Sequence, residues 1–71
     1  MKERTIQDIE RHLQHAREKH PFFCGTLSQA VAIAAEEFGE WVKELNDCSF
    51  TRSREECLDL IAVLVRHLEG D

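Results

Sequence analysis

The sequence predicts an all-α fold: a three-helix chain whose second and third helices form an antiparallel hairpin. Apolar residues recur at three- and four-residue spacings in three separate stretches, the pattern of one buried helix face. Only three glycines and one proline punctuate the chain, too few turn signals for a multi-stranded sheet. Hydrophobic residues make up 42% of the sequence, which supports a packed core rather than disorder. With 71 residues, the chain reads as one domain over positions 1–71. A core of that size is marginal without disulfides, a metal or a partner subunit.

The first helix is expected to begin near Thr5, where Thr5 and Asp8 have capping-box spacing. Ile6, Ile9, Leu13 and Ala16 give it a narrow apolar stripe, and Pro21 stops it, because the residue before a proline is pushed out of helical geometry. His20 to Gly25 reads as a connector, with Phe22 and Phe23 expected to be buried against the bundle.

A second capping box, Thr26 with Gln29, opens a helix that reaches about Asn46. Gly39 in its middle costs roughly 1 kcal/mol relative to alanine, so close approach by another backbone or a ligand is expected there. A short polar turn over Asn46 to Arg52 leads to a third helix starting between Thr51 and Ser53 and ending at Leu68, with Gly70 as its stop signal. The short connection makes the last two helices antiparallel neighbours.

Composition narrows the function. Fourteen acids against nine bases give a net charge of −5, which argues against a nucleic-acid polymer as partner. An anionic substrate would need a divalent cation to bridge two negative surfaces. No apolar run approaches a membrane span of roughly 20 residues. An odd count of three cysteines without a CxxC pair or signal peptide fits a reducing cytoplasm.

The acids are not spread evenly. Successive residues turn by about 100° around a helix. Leu27, Ala30, Val31, Ala34, Phe38, Trp41 and Leu45 therefore form the apolar arc of the second helix, and Glu37 falls at its edge. Glu40 and Glu44 lie beside the arc, with Glu36 further toward solvent. A carboxylate among Ile33, Ala34 and Trp41 is costly unless it has a partner or a metal. On the third helix Cys57, Leu60, Ile61, Leu64, Val65 and Leu68 form an apolar surface that Leu58 and Ala62 extend around the back. A surface this wide suits more than one neighbouring helix. Glu56 and Asp59 flank it, with Val63 and His67 continuing the same edge.

A hairpin turn centred near residues 48 and 49 brings Glu40 level with Glu56 and Glu37 level with Asp59. Four carboxylates then converge on one patch, where they repel unless a cation joins them. Hard oxygen ligands at this density suit Mg²⁺ or Mn²⁺ rather than zinc. Such an ion can grip a phosphate chain and activate a bound water. Glu56 also has a plainer reading, as the partner of Ser53 in a capping box.

The motifs Glu36-Glu37-x-x-Glu40 and Glu56-x-x-Asp59, with the apolar runs LSQAVAIA before the first and LIAVLVRHLEG after the second, resemble those of the MazG-like all-α nucleoside triphosphate pyrophosphatases. The resemblance covers about residues 20–69. It implies a Mg-dependent nucleoside triphosphate pyrophosphohydrolase that cleaves between the α and β phosphates, releasing nucleoside monophosphate and pyrophosphate. It implies magnesium held by Glu37, Glu40, Glu56 and Asp59, with Glu36 and Glu37 as the catalytic carboxylates, Glu36 as an additional ligand or water-orienting base. It also implies a homodimer or dimer of dimers, completing a four-helix-type bundle by oligomerisation.

A phosphoribosyl-ATP pyrophosphohydrolase and a non-catalytic helical dimerisation or interaction module are the alternatives. Nothing in the sequence chooses among Lys43, Arg52, Arg54 and Arg66 as phosphate contacts. His12 and His15, one turn apart, are expected to face solvent, His20 and Cys24 to be structural, and Cys57 to point to the apolar side. A di-iron bundle is excluded because no histidine follows a glutamate by three residues.

Overall fold

The computed structural model describes residues 1–71 as three helices and no strand: α1 (Glu3–Lys19), α2 (Leu27–Asn46) and α3 (Phe50–Glu69). The helix ends show where local chemistry sets the boundaries. α1 starts at Glu3 behind an extended Lys2 with no side-chain cap, so the Thr5–Asp8 box does not form. Asp8 turns instead to three arginines, Arg4 at 3.8 Å, Arg11 at 3.6 Å and Arg54 at 2.8 Å. Guanidinium partners offer a carboxylate stronger, charge-assisted contacts than a neutral backbone N–H does. Their field holds the Asp8 carboxyl below its ordinary range, with the bond to Arg54 as the main cause.

The Thr26 cap forms as expected, with the Gln29 backbone N–H donating to Thr26 Oγ1 at 3.2 Å. Gln29 returns its side-chain oxygen to the N–H of Gly25 at 2.7 Å rather than to that of Thr26. α2 ends in a Schellman motif: the Ser49 N–H donates to the Glu44 carbonyl and the Cys48 N–H to that of Leu45, both at 3.1 Å. That geometry puts Cys48 in the left-handed region at φ 58°, a place normally given to glycine.

The turn is shorter than expected, and α3 begins at Phe50 with Ser49 Oγ accepting from the Arg52 N–H at 3.4 Å. Ser53 therefore lies inside the helix, buried, with its hydroxyl donating to the Phe50 carbonyl at 3.0 Å. It caps nothing, so the capping role considered for Glu56 is removed. At the far end Gly70 takes φ 75°, and the Asp71 N–H closes back onto the Arg66 carbonyl at 3.1 Å.

α3 is the middle element. Antiparallel to it, α2 sets Glu44 against Arg52 at 2.9 Å and Glu37 against Glu56 and Asp59, the register expected from a turn near residues 48 and 49. α1 runs parallel to α3: Asp8 meets Arg54, His12 meets Glu55 and Asp59, and Arg17 meets Asp71. α1 and α2 each pack on α3 and not on one another. A cleft floored by α3 therefore lies between them.

The core is small. Its buried apolar residues are Ala30, Leu58 and Ala62, the last two on the part of α3 that the sequence placed at the back. Phe22 is 74% exposed, contrary to expectation. Phe23 is half-buried, with the Arg66 guanidinium 5.3 Å over its ring. Gly39 has no neighbour within 4 Å of the place a Cβ would occupy, so the close approach expected there does not occur within one chain.

Candidate metal centre

Glu37, Glu56 and Asp59 each offer a carboxylate oxygen within 4.8 Å of the other two. Their positions follow from helical spacing: Glu56 and Asp59 lie three residues apart on α3, while Glu37 faces them from α2. Glu40, one turn along α2 from Glu37, stands beside Glu56. Glu36 sits outside the triad on the wall of the adjoining cleft, where it is exposed.

The electrostatics of this patch are unfavourable as they stand. Burial raises the Glu37 pKa from an ordinary 4.5 to about 7, helped by the charges of Glu40, Asp59, Glu56 and Glu36. Glu56 moves in the same direction, first through burial and then through its contact with Glu40 and the charges of Asp59 and Glu44. Glu37 Oε2 and Glu56 Oε2 are buried with no hydrogen-bond partner. An acceptor taken out of water and left unpaired costs about 1–3 kcal/mol.

A hard divalent cation answers each of these features. Its charge would offset the mutual repulsion, and the two orphaned oxygens would become ligands. The three carboxylates lie within 4.8 Å of one another, close enough for side-chain rotations to turn them onto one ion. The donor set fits the metal chemically.

A fourth contributor comes from α1. His12 Nδ1 lies 2.7 Å from Asp59 Oδ1, and His12 Nε2 lies 2.5 Å from Glu55 Oε2. The second contact is short but off the direction a ring N–H would take, so Nε2 has no hydrogen bond. Only 11% of the His12 side chain is exposed, which corrects the expectation that it faces solvent. The signal was present: His12 lies three residues from Ile9 and four from Ala16, on the half-buried side of α1. Glu55 was missed because it lies outside the ExxD spacing.

The cleft beside the triad has a volume of 480 Å³. Glu37, Glu36 and Asp59 line one part of it, and Lys19, His15, His20 and Arg66 line another. Phe22, Phe23, Ile33, Ala62 and Val63 supply apolar wall. His67, expected on the acid edge, is exposed and outside the cleft. No family model, curated protein or solved structure matches this chain.

Proposed function

We propose that this protein is a Mg-dependent nucleoside triphosphate pyrophosphohydrolase acting as a homodimer. The observation that carries the reading is the meeting of Glu37, Glu56 and Asp59, two of them with orphaned buried oxygens, at the edge of a cleft. The EExxE and ExxD motifs, by their resemblance to MazG-like pyrophosphatases, point to the reaction.

Glu37, Glu40, Glu56 and Asp59 would hold the ion, which would neutralise phosphate charge and lower the pKa of a coordinated water. His12 fixes the Asp59 carboxylate through the 2.7 Å contact and so sets the direction of that ligand. Glu37, whose carboxyl pKa is raised to about 7, would be held as the carboxylate by a bound cation. Glu36, exposed on the cleft wall, would accept a proton from the attacking water. Attack on the α phosphorus breaks its bond to the bridging oxygen, and pyrophosphate leaves with that bond's electron pair.

Two apolar faces support the oligomer. Leu27, Val31, Phe38, Val42 and Leu45 are all more than a third exposed and recur along α2 at three-, four- and seven-residue intervals. Leu64 and Leu68 continue the exposed apolar surface on α3, at 46% and 83% exposure. A second copy would cover this surface and complete a four-helix-type bundle around a core that is marginal in one chain.

The test is pyrophosphate release by purified protein with Mg²⁺, across canonical and modified nucleoside triphosphates and phosphoribosyl-ATP. Release that disappears with EDTA and in Glu37→Gln is the expected result. Absence of release across the panel, together with no Mg²⁺ effect on thermal stability, would leave a non-catalytic helical module.

A further inference from the structure

The cleft is chemically two-ended, and the end away from the triad is organised around Arg66. This residue is only 2% exposed, a rare situation for arginine in so small a protein. Three features hold it: Nε donates to Asp71 at 3.3 Å, Nη1 donates to the Ala16 carbonyl at 3.2 Å, and the guanidinium lies over Phe23. Nη2 is buried and has no partner. A guanidinium carries five donors in a fixed plane, and leaving two of them unpaired out of water is costly.

Lys19 lines the same end of the cleft and makes no ion pair of its own, whereas Arg17 on the same helix is paired with Asp71. The other arginines near the hairpin are engaged elsewhere. Arg52 is bound to Glu44 and Arg54 to Asp8. Lys43 does not reach the cleft. Arg66 follows Asp59 by seven residues, so the two share one face of α3 about 10.5 Å apart along its axis.

We infer that the Arg66 and Lys19 end of the cleft is an anion subsite, receiving the terminal phosphate of a polyphosphate chain whose other phosphates lie toward the acidic triad. This rests on the metal-bound polyphosphate reading above for the occupant of the acidic end. The subsite stands on Arg66, Lys19 and the cleft. The unpartnered Arg66 Nη2, held in place by the bonds of Nε and Nη1, would donate to phosphate oxygens in a fixed plane, and Lys19 adds a mobile point charge from the rim.

Inorganic tripolyphosphate is the probe. Binding to the ¹⁵N-labelled full chain is followed by NMR, with and without Mg²⁺, using the Arg66 Nε–Hε resonance as reporter. Mg²⁺ alone is titrated separately by thermal shift. Tripolyphosphate should move the Arg66 resonance, and Lys19→Ala should weaken its binding about tenfold, the worth of one charge-assisted contact. Lys43→Ala should bind as the parent does. Arg66→Lys should bind weakly while keeping the charge, and Lys19→Ala decides the matter if that variant fails to fold.

Unchanged tripolyphosphate affinity in Lys19→Ala and a still Arg66 resonance would overturn the subsite, even if Mg²⁺ stabilises the protein. Anion binding at Arg66 without any Mg²⁺ response would keep the subsite and overturn the metal reading instead.

Discussion

His12 Nδ1 and Asp59 Oδ1 lie 2.7 Å apart although 47 residues separate them in sequence. The contact joins α1 to the acid cluster and gives the helix a role in shaping the site. Partners of this kind orient metal-ligating groups, and removing them lowers metal affinity about 10–100-fold. His12→Ala should therefore weaken Mg²⁺ binding within that range, measured by calorimetry, while Glu37→Gln should weaken it further. Equal Mg²⁺ affinity in His12→Ala and the parent would show that the contact merely packs α1.

The raised Glu37 pKa gives the metal-free protein a pH signature. Folding binds a proton more tightly at this carboxyl, so the folded state holds more protons than the unfolded one between 4.5 and about 7. Stability must then fall as pH rises through that interval. Asp8 and Asp71 act oppositely: their pKa values are lowered by arginine partners, so their contribution fades as pH falls through their folded values. Thermal midpoints in EDTA should decline from weakly acidic toward neutral pH. Mg²⁺ should lift the neutral end most.

Glu37→Gln supplies the matching stability test. Without metal at pH 8 it removes a half-buried charge among four other carboxylates. A gain of about 1 kcal/mol is expected, once solvent screening is allowed for. With saturating Mg²⁺ the order should reverse, because the parent gains a ligand-bound ion that the variant lacks. Chemical denaturation in both conditions measures this directly.

Two backbone positions should respond in a predictable way. Cys48 holds φ 58° at the end of α2, where glycine is at ease, so Cys48→Gly should stabilise the chain by about 1 kcal/mol. Gly39 lies mid-helix with open space around it, and Gly39→Ala should add roughly 1 kcal/mol through helix propensity. A loss in the second case, measured at dimer-forming concentration, would place a partner backbone against α2 at that point.

The exposed face of α2 sets a concentration-dependent expectation. Val31 and Phe38 are 61% and 42% exposed in the single chain. Burying each is worth about 1.5–3 kcal/mol, so Val31→Glu with Phe38→Glu should weaken self-association at least about a hundredfold. Sedimentation equilibrium reads this directly. A parent protein that stays monomeric at all concentrations would remove the bundle-completing role of this face.

Much of the architecture was legible because it is local. Helical periodicity and capping operate over three or four residues, so the helices, the Thr26 cap and the Gly70 stop could be read along the chain. The hairpin register followed as well, since a three-residue turn leaves α2 and α3 little freedom to slide. That register is what sets Glu37 opposite Glu56 and Asp59.

Only the tertiary structure decided where α1 goes. Its amphipathic stripe fits either face of the hairpin, and the choice rests on contacts with residues about fifty positions away, such as Asp8 with Arg54 and the Ala16 carbonyl with Arg66. That placement buries His12 beside Asp59, opens the cleft between α1 and α2, and separates Arg66 from the other candidate phosphate contacts. The acidic motifs are thus a property of the sequence. The cleft they border exists because α1 and α2 each pack against α3 without meeting one another.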